Sequence, residues 1–407
     1  MTLDEARTLD AADPLAHFRD RFLLPPGKIY LDGNSLGALP ASTAARLNET
    51  VEREWGESLI EGWNKHDWIG APERVAAKLA PMVGAAPDEL LIGDSTSINL
   101  FKLLGAALMV GDRRVILTEE GNFPTDLYVA QGLEALLPGV SLRKVPAGTI
   151  LDGIDESVAV LMLTQVDYRS GRKHDMATIN AAAHAAGVLT LWDLSHSAGA
   201  FVVDLKADSC DLAVGCGYKY FNGGPGAPAF LFVARHLQDS LASPLPGWMG
   251  HADPFAFDAA YRPAKGIARF RTGTPSILGI SALEAGLATF DGVDMAALEA
   301  KSRSLSQLFI DEVERCCGSQ AALASPRDPA GRGSHVVFAH SEGYAVMQAL
   351  IARGVIGDFR APDLMRFGFA PLYNSHEDAW RAAEALADLV ETGTWDQPQF
   401  HRKSRVT

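Results

Sequence analysis

Cysteine is scarce: Cys210, Cys216, Cys316 and Cys317 are the only four in 407 residues. Their spacing fits neither a disulfide framework nor a zinc pattern, so reduced thiols and no bound metal are expected. Positive charge is also in short supply. Lys and Arg number 36 against 50 Asp and Glu, a net charge of −14. That balance argues against nucleic acid or an anionic membrane surface as a partner, and any anionic ligand must be held by local groups against the overall field. No uncharged apolar run reaches the length of a membrane span. The opening "MTLDEARTLDAADPLAHF" carries acids where a secretion signal would be basic and then apolar. A soluble, cytoplasmic protein is the expectation. Internal repeats, low-complexity linkers and the phosphate-loop pattern Gly-x-x-x-x-Gly-Lys-Ser/Thr are all missing.

What the chain has is apolar sequence, 47% of it hydrophobic, and enough length for two domains with their own cores. Short β-type runs ("ELLIG", "RRVILTE", "VAVLMLTQV", "VLTLWDLSH", "CDLAVGC", "APAFLFV") alternate with helical patterns through the middle of the chain. Continuous apolar strands separated by amphipathic helices predict an α/β fold with a mostly parallel sheet covered on both faces. After about residue 276 the texture changes. Helical stretches at 280–290, 295–317, 343–353 and 376–391 surround only one or two strand candidates, "SHVVFAH" and "LMRFGFAP". This reads as a smaller α+β domain over 277–407, a large domain over 51–276, and an N-terminal segment, 1–50, associated with the small one.

The chemistry concentrates at the carboxyl ends of the predicted strands, where α/β sheets bind ligands. In "DLAVGCGYKYFNGGPG" a lone lysine, Lys219, stands between two tyrosines, after an apolar run and before a glycine cluster. Apolar surroundings favour the free amine, which is the nucleophile of Schiff-base chemistry. One strand upstream, "LWDLSH" puts Asp193 at a strand end with His196 three residues on. An acid and a Schiff-base lysine on successive strand ends suit pyridoxal 5'-phosphate, whose pyridine nitrogen the acid keeps protonated. "GDSTSINLFK" sets Ser95, Thr96 and Ser97 at a helix start, a ready anion site. "GNFPTD" offers Phe123 to stack on a ring and Asp126 to reach its polar edge. Taken one at a time these are ordinary helix caps and turns; their order along the chain is the signal.

The chain resembles the kynureninases, members of the fold type I (aspartate-aminotransferase-like) pyridoxal-phosphate enzymes. The resemblance runs nearly end to end. It is carried by "LDGNSLG" (31–37), "DSTSINLFK" (94–102), "NFPTD" (122–126), "DLSHSAGA" (193–200), "GYKYFNGGPG" (217–226), "GWMGH" (247–251), "RTGTPSI" (271–277) and "RFGFAPLYN" (366–374). The resemblance implies Lys219 as the Schiff-base lysine, Asp193 as the pyridinium partner with His196 close by, and Thr96, Ser97 and Tyr218 on the phosphate. Phe123 would lie on the ring face with Asp126 beside it. Trp248 and Thr274 would complete the phosphate site from the neighbouring subunit of a homodimer. Arg366 would hold the substrate α-carboxylate, and Ser35 and Trp63 would line the substrate pocket, where "GWNKHDW" also offers His66 and Trp68. The implied reaction is hydrolysis of the Cβ–Cγ bond of L-kynurenine or 3-hydroxykynurenine, in tryptophan catabolism, with Tyr218 as proton donor. The alternatives are another fold type I enzyme, such as an aminotransferase or a cysteine desulfurase, and a binding protein on a degenerate enzyme fold. A desulfurase needs a cysteine on a mobile loop, whereas Cys316 and Cys317 sit in a helical pattern and the loop after them has none.

Overall fold

The computed structural model describes residues 1–403. Near the N-terminus a two-residue strand, β1 (Ile29–Tyr30), leads into the glycine turn of "LDGNSLG". Seven strands then build one sheet: β2 (Leu90–Ile92), β3 (Val115–Glu119), β4 (Ser141–Val145), β5 (Val158–Thr164), β6 (Leu189–Asp193), β7 (Leu212–Gly215) and β8 (Phe230–Val233). Their order across the sheet is β2-β8-β7-β6-β5-β3-β4. Every neighbouring pair is parallel except the two that β8 makes, which are antiparallel.

The central strands explain why the fold is layered. All seven residues of β5, "VAVLMLT", are buried, as are all four of β7. A strand apolar on both faces must be covered on both, and helices do this. The helix Thr96–Leu108 is typical: Ser95 caps it by accepting from the Ile98 amide, and Leu100, Leu103, Leu104 and Ala107 recur at helical spacing on its buried side. Expected strands and observed strands coincide except at β4, which the reading above omits. Its sequence "SLRKV" lies at the sheet edge, where two cations among five residues mask the apolar pattern.

The later strands form a separate, antiparallel sheet: β9 (Ala322–Leu323), β10 (His335–Ala339), β12 (Asp358–Arg360) and β13 (Leu364–Gly368), in the order β12-β13-β10-β9. Four strands stand where one or two were legible, because β9 has two residues and β12, "DFR", has two charges in three. The helices Met295–Cys317 and His376–Thr392 cover this sheet, and Phe309 sits with its ring centre 4.7 Å from Phe367 and 5.5 Å from Phe369. The short β11 (Val355–Ile356) pairs with β1, Ile29 opposite Val355. The N-terminal segment is thereby tied to the C-terminal part of the chain. Among the described residues no helix is long and apolar enough to cross a membrane.

Candidate active site

Three parallel strands end together. Thr164, the last residue of β5, stands opposite Asp193, the last of β6, and Asp193 stands opposite Val214 of β7. Beyond these ends lies a cavity of about 210 Å³. Thr96, Ser97, Phe123, Asp126, Asp193, His196, Tyr218 and Lys219, eight residues nominated from the sequence, all line it. So do Thr164, Ser195 and Tyr168, which the sequence reading missed. Tyr168 follows β5 in the loop at its carboxyl end, the position where a ligand-facing residue is to be sought. Its ring meets Phe123 edge-on, 5.2 Å between centres.

Lys219 is half-buried and burial lowers its amine below the usual lysine range. Cys216 and Asp193 oppose that shift, while the cations Arg366 and Arg360 reinforce it. The setting favours a neutral, nucleophilic amine. Asp193 is held by Ser195, which donates from its backbone N at 2.8 Å and its hydroxyl at 2.6 Å. Both bonds fall on Oδ1, so among the described residues Oδ2 is left for a further partner. Burial raises the Asp193 carboxyl, and the Ser195 bonds and the Lys219 charge pull it back. Burial and then the charge on Asp193 raise Asp126 well above the carboxylate range. Desolvation holds His196 neutral, and burial raises the Tyr218 hydroxyl, leaving it a proton carrier.

The segment carrying the lysine is locked from the N-terminal side. The Gly37 amide donates to the Tyr218 carbonyl at 2.8 Å, and a Cβ at Gly37 would stand 2.3 Å from the Lys219 carbonyl oxygen. No side chain fits there, which accounts for the last glycine of "LDGNSLG". Gly224 and Gly226 both take positive φ (83° and 73°) in the turn after the lysine, a conformation open to glycine at no steric cost.

A second group of charges adjoins the cavity. Arg366 on β13 lies directly opposite Asp358 on β12 and is 2% exposed. Its Nε donates to Asp358 Oδ1 at 2.7 Å and its Nη2 to Asp358 Oδ2, a bidentate pair. Nη2 also reaches Ser35 Oγ at 3.0 Å, and Nη1 donates to the Tyr168 carbonyl at 2.7 Å. Ser35 and Arg366, both nominated from the sequence, are therefore brought into contact. Asp358 and Arg360 were missed, for the reason that hid their strand. Asp32, in the same group, is pushed up to about 7 by burial and then by the Asp358 charge.

Trp63, Trp248 and Thr274 do not reach the cavity within one chain. Trp63 packs edge-on against Trp68, whose Nε1 donates to Glu54 at 2.8 Å, while His66 is bonded to Ser58 Oγ at 2.8 Å. Thr274 is exposed and Trp248 is 39% exposed. A wider groove of about 810 Å³ opens at the amino ends of the strands. Four of its ionisable groups are paired with one another, His184 with Asp211 at 2.8 Å and Lys206 with Glu89 at 3.3 Å.

The lysine cavity fits pyridoxal 5'-phosphate. Asp126 Oδ2 and His196 Nδ1 are buried atoms on its wall without a partner, as polar groups awaiting a ligand would be. The first-turn amides of Thr96–Leu108, with no acceptor inside their helix, supply the anion site.

Comparison with known proteins agrees with that chemistry. Residues 298–386 match the family model described as the kynureninase C-terminal domain. A kynureninase of Deinococcus radiodurans is 51% identical over 397 residues, 96% of this chain and 97% of that one. The kynureninase of Pseudomonas fluorescens is 49% identical over 414 residues, covering all of both chains. Among solved structures, an apo cysteine desulfurase from Thermococcus onnurineus superposes with a TM-score of 0.79 over 92% of this chain and 98% of its own, at 18% identity. A C-DES mutant with glycine covalently linked to its PLP cofactor gives 0.78 over 91% of this chain and 99% of its own, also at 18% identity. At that identity these two establish the fold alone.

Proposed function

The chain belongs to the kynureninase family, and on that premise we propose how its residues divide the work of a pyridoxal-phosphate-dependent hydrolase. The reaction splits the Cβ–Cγ bond of kynurenine, releasing anthranilate and L-alanine. The observation that carries this reading is the convergence of Lys219, Asp193 and Tyr218 on one cavity, with Arg366 and Ser35 beside it. The desulfurase alternative rests on the shared fold only. Cys210, Cys216 and Cys317 are buried, and Cys316 lies in the helix Met295–Cys317 with its thiol on Glu384.

When bound, pyridoxal phosphate supplies an electron sink for the charge left at a substrate carbon when its bond breaks. Thr96 and Ser97 would hold its phosphate, Phe123 would lie against its ring, and Asp126 and His196 would meet its polar edge. Asp193 Oδ2 would carry the negative charge opposite the pyridine nitrogen. Lys219 Nζ, whose desolvated setting favours the free amine, takes the substrate's Cα proton. The Tyr218 hydroxyl gives the proton that completes alanine, its rise in pKa keeping it protonated at neutral pH. Arg366 and Ser35 hold the α-carboxylate; the resemblance also assigns Trp63 to the aryl group, although within one chain it packs against Trp68 away from the cavity. Incubation of the PLP-loaded enzyme with kynurenine should release anthranilate and alanine in equal amounts, read by fluorescence and by amino-acid analysis. Transamination without anthranilate would overturn the assignment. The same assay with 3-hydroxykynurenine tells which aryl ketone is preferred.

The working form is a cytoplasmic homodimer with shared sites. Exposed Trp248 and Thr274 support it, being remote from their own chain's cavity yet matching family phosphate contacts, as does a neighbouring patch in which Phe255 and Phe257 are 62% and 77% exposed. Mixing Lys219→Ala with Trp248→Ala protein should restore one intact site per heterodimer, about a quarter of wild-type activity after random reassociation. No recovery from two inactive parents that do exchange subunits would exclude sharing.

A further inference from the structure

Arg366 cannot offer a free fork to a carboxylate. A guanidinium has five N–H donors. Its Nε and one Nη2 hydrogen are taken by Asp358, the other Nη2 hydrogen by Ser35 Oγ at 3.0 Å, and one Nη1 hydrogen by the Tyr168 carbonyl at 2.7 Å. Asp358 is itself heavily used. Its Oδ2 accepts from Arg366 and from Ser35 Oγ at 2.9 Å, and Arg360 Nη2 forms an ion pair with it at 2.8 Å. Two cations thus share one carboxylate.

Arg360 differs from Arg366 in what remains available. Its side chain is 35% exposed. Its Nη1 donates to the carbonyl of its own neighbour Phe359 at 3.0 Å, a weak anchor that an incoming anion can outbid. Its Nη2 pairs with the same Asp358 carboxylate that holds Arg366, and Arg366 is in turn bonded to Tyr168 of the cavity wall. The local balance also leaves room for an anion: Arg366 and Arg360 both pair with the one carboxylate of Asp358, and Asp32 is a further acid that acts on Arg360. Asp32 has a buried Oδ1 with no partner and stands beside Asp358, a neighbour that disfavours a second negative charge.

We propose that Arg360 is a second carboxylate-binding residue: the substrate α-carboxylate bridges the remaining Nη1 hydrogen of Arg366 and the exposed guanidinium of Arg360, and Asp358 positions both. The proposal rests on the reading of Arg366 given above, and its test keeps the two apart. Four PLP-loaded proteins are compared: wild type, Arg360→Gln, Arg360→Lys and Arg366→Gln. Each is measured with kynurenine and with the corresponding amine that lacks the α-carboxylate, the latter as an inhibitor. Loss of one charge-assisted contact in a half-buried site should raise KM for kynurenine about 10–100-fold in Arg360→Gln. Expected alongside are a kcat within about 3-fold of wild type, unchanged inhibition by the decarboxylated amine, and unchanged cofactor absorbance, since the contact is to the substrate's carboxylate alone. Arg360→Lys, which keeps the charge, should recover part of the loss. A KM that stays at the wild-type value in Arg360→Gln, or equal weakening of both ligands, overturns the role of Arg360. If Arg366→Gln weakens kynurenine selectively while Arg360→Gln does not, Arg366 stands alone and Arg360 is dismissed. If neither variant discriminates the two ligands, the reading of Arg366 falls as well.

Discussion

Replacing Lys219 by alanine should abolish turnover while leaving a folded protein that still takes up pyridoxal phosphate. The side chain stands at the cavity wall and contributes little to the cores, so its removal trims a polar cavity and leaves the apolar packing alone. What it removes is the one amine poised to bond the cofactor and to carry the Cα proton. Losses of this kind run beyond about 10⁴-fold, because the same atom serves binding and proton transfer. Borohydride fixes a C=N bond as a stable amine. Treating the wild type with it, then digesting and mapping peptides, should put the label on Lys219 and on no other lysine. The variant should carry none, and its bound cofactor should wash away on dialysis. A label at a different lysine would sink the assignment outright.

Tyr218→Phe should lower turnover by about 10²–10⁴-fold, the usual worth of a positioned general acid. The substitution keeps the ring and deletes only the hydroxyl, so the Lys219 side chain loses no packing partner; the ring centre is 6.0 Å from Nζ. The expected defect is late. Proton removal by Lys219 stays fast, measured as exchange of the Cα hydrogen with deuterated solvent, while alanine release slows. The resemblance also implies Tyr218 on the phosphate, and a weakened cofactor could imitate a lost acid. Saturating pyridoxal phosphate separates the two. Restored turnover would make Tyr218 a binding residue, and equal slowing of Cα exchange and of release would refute the late role.

Much of this site could be read before folding because sheet geometry and sequence share a grammar. Apolar runs end where ligands bind, so Asp193 after "LTLW" and Lys219 after "LAVGC" advertise themselves. Thr96 and Ser97 do the same through a helix start, and Phe123 and Asp126 through a turn. What escaped notice is set by distant pairing. Asp358 matters because it faces Arg366 across two strands, a register that no local pattern announces. Its strand is three residues long with two charges, so neither length nor alternation marks it. Tyr168 is another such case, a loop residue whose ring and carbonyl serve two different neighbours. Trp248 and Thr274 follow family motifs, yet within one chain neither reaches the cavity.

The pairing of β1 with β11 has a consequence for how the protein is made. Ile29 emerges early and hydrogen-bonds to a segment that includes Gly354, whose carbonyl accepts from the Ile29 amide at 2.8 Å. At synthesis rates of about 5–20 residues per second, the two are separated by tens of seconds. During that interval the seven-stranded sheet can assemble, but Gly37 and Ser35 have no finished surface linking them to both Tyr218 and Arg366. The pocket proposed to hold the carboxylate therefore closes last, after residue 366 has left the ribosome. A nascent chain arrested before Arg366 would hold its lysine without the arginine proposed to clamp the carboxylate, and the site would be complete only once the segment from Gly354 to Arg366 has joined the one from Ile29 to Gly37.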